Sequence, residues 1–394
     1  TLNSNAPVVK RLILESLRYW VEVMHVDGFR FDLAPVIALT PDGQGFNPSH
    51  ELFRLLQTDP VFTHTKFIAE PWDLRSHQLG RFPLQWGEWN DRFRYSSRRF
   101  LKGDGHASQE FVLSLTGSPD IFTMNHKASS RSVNYITSHD GFTLHDLYAY
   151  NTKHNAANQE DNRDGADHND SDNCGAEGET EDQTILQVRQ RMLKNAFVSV
   201  LLSIGTPMIL GGDEFQRTQS GNNNAYCQDN ELTWFNWDQV ENNKPLIRFV
   251  QHLIQLRKTF FVVSDEMNVS RPARDTGEGI SLIPEMIMHW YDERFQKIDW
   301  NREPKKLSCY MPNRVNAYDM HSYDLLTLFN MSPEGSDFML PEKGLSAWRE
   351  IMHTDKVSPH DARSIQDARP LTQASNIHLT SKSICCLIRK NNPA

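Results

Sequence analysis

The chain has 394 residues, 38% of them hydrophobic and 23% charged, an ordinary globular composition long enough for about two domains. A formal net charge of -9 argues against nucleic acid or an anionic membrane as the main partner, and no run of 18 apolar residues reads as a membrane span. The five cysteines, Cys174, Cys227, Cys309, Cys385 and Cys386, are odd in number and scattered, so neither a zinc spacing nor a disulfide framework follows; reduced thiols in the cytoplasm are the simplest reading.

In chain order, residues 7–24 read as an amphipathic helix with Pro7 in its first turn. It feeds VDGFRFDLA, residues 26–34, a short buried strand ending in a carboxylate before a Pro/Gly-rich loop. Arg30 and Asp32 are two apart, so on a strand they share a side, and the guanidinium favours an ionised carboxylate. A helix over 49–57 precedes KFIAE, a strand over 66–70 ending in Glu70 and stopped by Pro71. The stretch 72–94 is rich in Trp, Arg and acids, with a strand expected over 84–89; for Trp86 and Trp89, packing is at least as good a reading as a sugar platform. Helices over 92–101 and 108–115 flank a turn at Gly103-Asp104-Gly105. Next comes VNYITSHD, a β-branched strand over 133–140 that ends in His139-Asp140-Gly141.

Residues 155–182 are nearly all polar. Composition alone reads as a disordered acidic loop, but the position after an acid-bearing strand favours a long active-site loop. Its Asp and Asn spacing does not match an EF-hand, so no metal is assigned. A helix over 183–203, a buried strand over 208–210 ending at Gly211-Gly212-Asp213-Glu214, and a helix over 245–260 complete an alternating pattern up to about residue 262. Such alternation indicates a parallel α/β domain, and acids gathered at strand ends favour a closed barrel. From 263 to 394, short apolar runs at 307–310, 325–329, 377–379 and 383–388, separated by turns such as Ser332-Pro333-Glu334-Gly335, read as a small antiparallel β-sandwich domain.

Three times, at Asp32, Glu70 and Asp140, a strand ends in an acid and passes into a loop. One acid after a strand is usually a turn former or helix cap. Three in order, with Arg30 and His139 beside two of them, point to chemistry instead. A carboxylate nucleophile and a protonated acid working together need environments that push their pKa values in opposite directions. Arg30 beside Asp32 supplies one environment; Glu70, with Ile68, Ala69, Pro71 and Trp72 around it and no cation adjacent in sequence, supplies the other. His139 and Asp140 are neighbours, so both can face one substrate only if the strand ends or bends near Ser138, which Gly141 permits.

VDGFRFDLA, FIAEPWD, NYITSHDGFTLHDL and GTPMILGGDEFQRTQSGNNNAYCQDNELTWFNW together resemble the α-amylase superfamily, and within it the isoamylase-type glycogen debranching enzymes. The resemblance implies a (β/α)8 TIM-type barrel followed by a β-sandwich. It implies Asp32 as nucleophile, Glu70 as general acid/base, Asp140 as the carboxylate that stabilises the transition state, Arg30 as the holder of the nucleophile and His139 as a binder of sugar hydroxyls. It further implies cleavage of α-1,6 branch linkages in glycogen or a similar branched α-glucan by a retaining mechanism; no cofactor and no metal are assigned, and a structural ion is left open. The three acids do not by themselves separate this from an α-1,4-acting or branch-forming relative, or from a non-catalytic glucan-binding remnant; oligomeric state is left open. No DxxxxNH-like motif precedes residue 26, so the chain is expected to hold about strands four to eight of the barrel, to be poorly soluble and to be catalytically feeble alone.

Overall fold

The computed structural model describes residues 2–123, 127–260, 288–316, 318–341, 347–371 and 375–391. The chain divides into two compact units, the first built mainly from residues 1–91 and 117–134, the second from 92–116, 135–262 and 285–394. The change of pattern expected at 262–263 lies outside the described residues.

The first unit opens with α1 (Pro7–Glu22), where proline occupies a position whose N–H has no helical partner anyway. Its stripe of Ile13, Leu14, Leu17 and Val21 packs, half-buried, against an apolar cluster that also receives α2 (Glu51–Thr58) through Leu52, Phe53 and Leu56. Four short strands, β1 (Gly28–Phe31), β2 (Lys66–Ala69), β3 (Gly87–Asn90) and β4 (Ser132–Asn134), lie parallel in sequence order. Gly28 starts β1 because a Cβ there would stand 2.6 Å from the Lys66 carbonyl oxygen. Trp86 sits at the centre of the cluster with no exposed surface, its ring 4.8 Å from Phe31 and 5.2 Å from both Phe53 and Phe67. It is a core residue, which removes it as a sugar platform. β1 is half-buried rather than buried, being the end strand in the sheet order. The strand expected to reach Asp140 stops at Asn134, so His139 and Asp140 stand on a loop.

In the second unit, α3 (Asp91–Lys102), α4 (Ser108–Leu115), α5 (Leu144–Leu147), α6 (Gln183–Leu201), the two-residue strand β5 (Thr206–Pro207), α7 (Asp238–Asn242) and α8 (Lys244–Phe260) follow one another. The strand expected over 208–210 is displaced to β5; the apolar character of Met208–Leu210 reports half-burial rather than pairing. Leu246, Phe249, Val250, Leu253, Leu256 and Phe260 bury one face of α8 at helical spacing.

Among the described residues, eight antiparallel strands follow: β6 (His289–Tyr291), β7 (Lys306–Val315), β8 (Ser322–Asn330), β9 (Ser336–Met339), β10 (Arg349–His353), β11 (Arg369–Pro370), β12 (Asn376–Leu379) and β13 (Ser383–Lys390). Six form a sheet in the order β11-β10-β13-β8-β7-β6, and β12 pairs with β9 separately. The runs LLTLF and ICCLI are explained by this sheet. Alternate side chains enter two different cores, with Leu325, Phe329, Ile384, Cys386 and Ile388 facing the helix-rich cluster, and Leu326, Leu328, Cys385 and Leu387 facing Phe338, Trp348 and Leu379. Polar ties add to this packing: Asp361, wholly buried, is paired with both Lys194 of α6 and Arg248 of α8. All five cysteines are free. Among the described residues no helix is long and apolar enough to cross a membrane.

Candidate active site

Parallel register places two of the acids side by side. Phe31 of β1 stands opposite Ala69 of β2, so Asp32 and Glu70 are the next residues on adjacent strands. The Glu70 N–H donates to the Phe31 carbonyl at 3.0 Å and the Ala34 N–H to the Glu70 carbonyl at 3.0 Å, which extends the pairing past both carboxylates. Leu33 between them adopts a left-handed conformation (φ 41, ψ 49), uncommon for a leucine, and this aims its N–H at Glu70 Oε2, 2.8 Å away.

Arg30 bridges the pair. Its Nη1 donates to Asp32 Oδ1 at 2.7 Å, as the two-residue spacing requires. Its Nη2 lies 2.8 Å from Glu70 Oε2, a charge contact that does not align as a hydrogen bond. The guanidinium carbon sits 4.2 Å from the centre of the Trp89 ring, a cation–π platform that fixes the arginine from behind. Glu70 has no cation adjacent in sequence; the fold supplies Arg30 from the neighbouring strand, a contact that strand pairing alone reveals.

The two carboxylates occupy different surroundings. The Asp32 side chain is 72% exposed and the Glu70 side chain 5%. Burial holds the Glu70 carboxyl above its ordinary value, and the Asp32 carboxylate pushes the same way; the Leu33 N–H and Arg30 pull it down without cancelling the rise. One solvated acid and one acid biased toward its protonated form is the division of labour that nucleophile and proton donor require.

A second buried carboxylate supports this strand end. Glu88 of β3 has no exposed surface, pairs with the buried Lys127, and accepts from the Gly80 N–H at 2.6 Å. Burial pushes Glu88 up and Lys127 down. Beside it, Asn90 donates to the hydroxyls of Ser118 and Ser132, both at 2.8 Å, which joins β3 to β4 through buried polar groups.

His139 and Asp140 belong to the other unit. Both are exposed, with His139 Nε2 3.6 Å from Asp140 Oδ2. Gly141 follows at φ +100 and provides the bend that lets neighbouring side chains share a direction. The structure thus brings Arg30, Asp32 and Glu70 together in one unit and His139 with Asp140 in the other.

The acidic stretch 155–182 is folded, not featureless. Asn155, buried, donates to the Asp164 carbonyl at 2.9 Å and to Asn223 Oδ1 at 2.9 Å. Asn222 donates to Asn158 Oδ1 at 2.9 Å, and Asn224 to Asp164 Oδ2 at 2.9 Å. Gly165 (φ +72) is required because a Cβ would stand 2.2 Å from Asn223 Oδ1. The GNNNAY motif therefore ties this loop down with side-chain amides. Among the described residues no group of three or more His, Cys, Asp or Glu is arranged to hold a metal ion.

The alpha-amylase catalytic-domain family matches residues 1–244. Among curated proteins, the chain is 47% identical over 260 residues to a glycogen operon protein GlgX homolog of Mycobacterium tuberculosis, covering 66% of this chain and 36% of that protein. It is 40% identical over 363 residues to a glycogen debranching enzyme of Pectobacterium carotovorum, covering 91% and 51%, and 37% identical over 366 residues to the chloroplastic isoamylase 3 of Oryza sativa, covering 92% and 44%. The chain thus spans about half or less of the length of these relatives. Its fold is similar to that of the pullulanase from Anoxybacillus sp. LM18-11 solved with maltotetraose, with TM-score 0.66 and 21% identity over 98% of this chain and 47% of that one. That likeness shows a TIM-barrel fold with a C-terminal β domain. With its strand-end acids placed and more than half of its length matched, the chain belongs to the α-amylase family.

Proposed function

We propose that this chain carries the chemistry of a retaining glycoside hydrolase that cleaves α-1,6 branch linkages in glycogen or limit dextrin. The observation that carries the reading is the Arg30-bridged pair of unlike carboxylates, exposed Asp32 and buried Glu70. Asp32 attacks the anomeric carbon and forms a glycosyl ester while Glu70 gives its proton to the departing 6-oxygen. Glu70 then takes a proton from water, which attacks the same carbon and releases Asp32. Asp140 opposes the positive charge that develops on the ring, and His139 bonds the sugar hydroxyls. No cofactor enters this scheme.

The α-1,6 preference rests on the names of relatives: glycogen debranching enzyme, isoamylase and, among solved folds, pullulanase. The substrate is then a branched α-glucan, and the compartment is the cytoplasm. We further assign β1 to β5 to about strands four to eight of the barrel, and place the division between barrel and C-terminal β domain at 262/263. Treatment of a branched maltooligosaccharide with this chain tests the reading. Release of linear chains whose new reducing ends first appear as the α anomer supports it. New branch points would favour a branching enzyme, and cleavage confined to α-1,4 bonds an amylase.

A further inference from the structure

We propose that Asp213 and Asp146 are positioning residues for Asp140, two buried carboxylates that lock the loop 137–146 and the segment 213–223 to each other from opposite sides. Asp213 belongs to the turn of 3-10 helix at Asp213–Phe215. It reaches back to accept from the Thr137 hydroxyl and, at 2.9 Å, from the Leu144 N–H, so it grips the loop on both sides of Asp140. Asp146 in α5 works in the other direction. It accepts from the Thr218 hydroxyl, the Gln219 N–H at 2.8 Å and the Gly221 N–H at 3.4 Å. Between the two grips, the Gly141 N–H donates to the Asn223 carbonyl at 3.0 Å.

The inference rests on the assignment of Asp140 proposed above. An acid that opposes a developing cation must be held in place before the charge appears. Asp140 is exposed and stands beside a glycine in a left-handed conformation, past the end of its strand; the Ser138 hydroxyl donates to its carbonyl at 3.1 Å and the Gly141 N–H to Asn223, ties that themselves depend on how the loop is held. Asp213 and Asp146 are 1% and 0% exposed. Burying two carboxylates against neutral donors is costly. The cost is understandable if they fix a loop that strand pairing has already released at Asn134. Charged neighbours are few: Glu214 and Arg217 act on Asp213, and His145 and Arg217 act on Asp146. Asp213 touches the loop at Thr137 and Leu144, and Asp146 touches the segment at Thr218, Gln219 and Gly221; none of these contacts is with the Asp140 carboxylate.

Three variants of the full chain test this: Thr137→Val, Asp213→Ala and Asp213→Asn. Two readouts are needed, amide hydrogen exchange at Gly141 and Leu144, and turnover of a branched maltooligosaccharide. Thr137→Val and Asp213→Ala should speed both amides by roughly tenfold or more. They should also lower kcat by roughly tenfold, with KM little changed. Asp213→Asn, whose amide can accept from Leu144 and donate to Thr137, should restore both readouts. If Asp213→Ala does not fold, Thr137→Val carries the test. Unchanged exchange, or faster exchange with unchanged kcat, would overturn the positioning role. If the unaltered chain, expected to be catalytically feeble alone, shows no turnover, amide exchange decides, and unchanged exchange in Thr137→Val and Asp213→Ala would overturn the clamp.

Discussion

The two acid-bearing regions are built by opposite means. Asp32 and Glu70 stand where paired parallel strands end, and Arg30 and Trp89 fix them from the same sheet. Asp140 stands on a loop beyond the end of its strand, and its restraint comes from carboxylates and amides on segments distant in sequence. The supports differ as well. Near the strand ends the buried Glu88 is offset by a buried cation, Lys127, whereas in the loop region Asp213 is met by a hydroxyl and a backbone N–H. Strand ends place a side chain by backbone pairing and leave electrostatics to tune it. A loop has to be placed by the electrostatics themselves.

Breaking the strand-end pair should have the largest effect. Glu70→Gln removes the proton donor while keeping its shape, and should lower turnover of a branched oligosaccharide by about 10²–10⁴ relative to the unaltered chain. A loss of less than about tenfold would remove Glu70 from its role. Next comes the buried pair behind it. Lys127→Met strands Glu88 in the core and should cost about 3–5 kcal/mol in urea unfolding, and adding Glu88→Gln should recover part of that loss.

The loop region makes a prediction with a defined sign. Burial pushes Asp213 up to about 7 from an ordinary value of 3.8. Between those values the folded chain keeps a proton that the unfolded chain has released. Its contribution to stability is therefore fully present below the unfolded value and is lost as pH rises through the folded value. Asp213→Asn stays neutral throughout. Its stability relative to the unaltered chain should rise between pH 4 and pH 7 by a few kcal/mol and level off above that. A difference that does not change with pH would show that Asp213 is ionised in the fold. The smallest effect distinguishes the two regions directly: Arg30→Met should move the Glu70 titration upward, since Arg30 pulls it down, and leave the Gly141 and Leu144 amides unaffected.

Much of the strand-end geometry was legible in the sequence. The two-residue spacing of Arg30 and Asp32 foretold their ion pair, and Pro71 marked the end of the Glu70 strand. The helices over residues 7–22, 108–115 and 244–260 were legible through their apolar periodicity, and the apolar runs of the C-terminal strands through their composition. What escaped depends on contacts between distant residues. Arg30 meeting Glu70 requires knowing which strands pair. Asp213 meeting Thr137 spans 76 positions with no spacing rule to announce it. The polar stretch 155–182 reads as disordered by composition alone because its order comes from amides at 222–224 rather than from an apolar stripe of its own.

The central claim is that one fold gives Asp32 and Glu70 unlike environments, and titration of the Glu70 carboxyl by carbon-13 NMR, assigned with Glu70→Gln, tests it most directly. A midpoint above the ordinary glutamate value of 4.5 is predicted. A midpoint at or below that value would mean that Arg30 and the Leu33 N–H outweigh burial, leaving two ionised acids and no proton to donate.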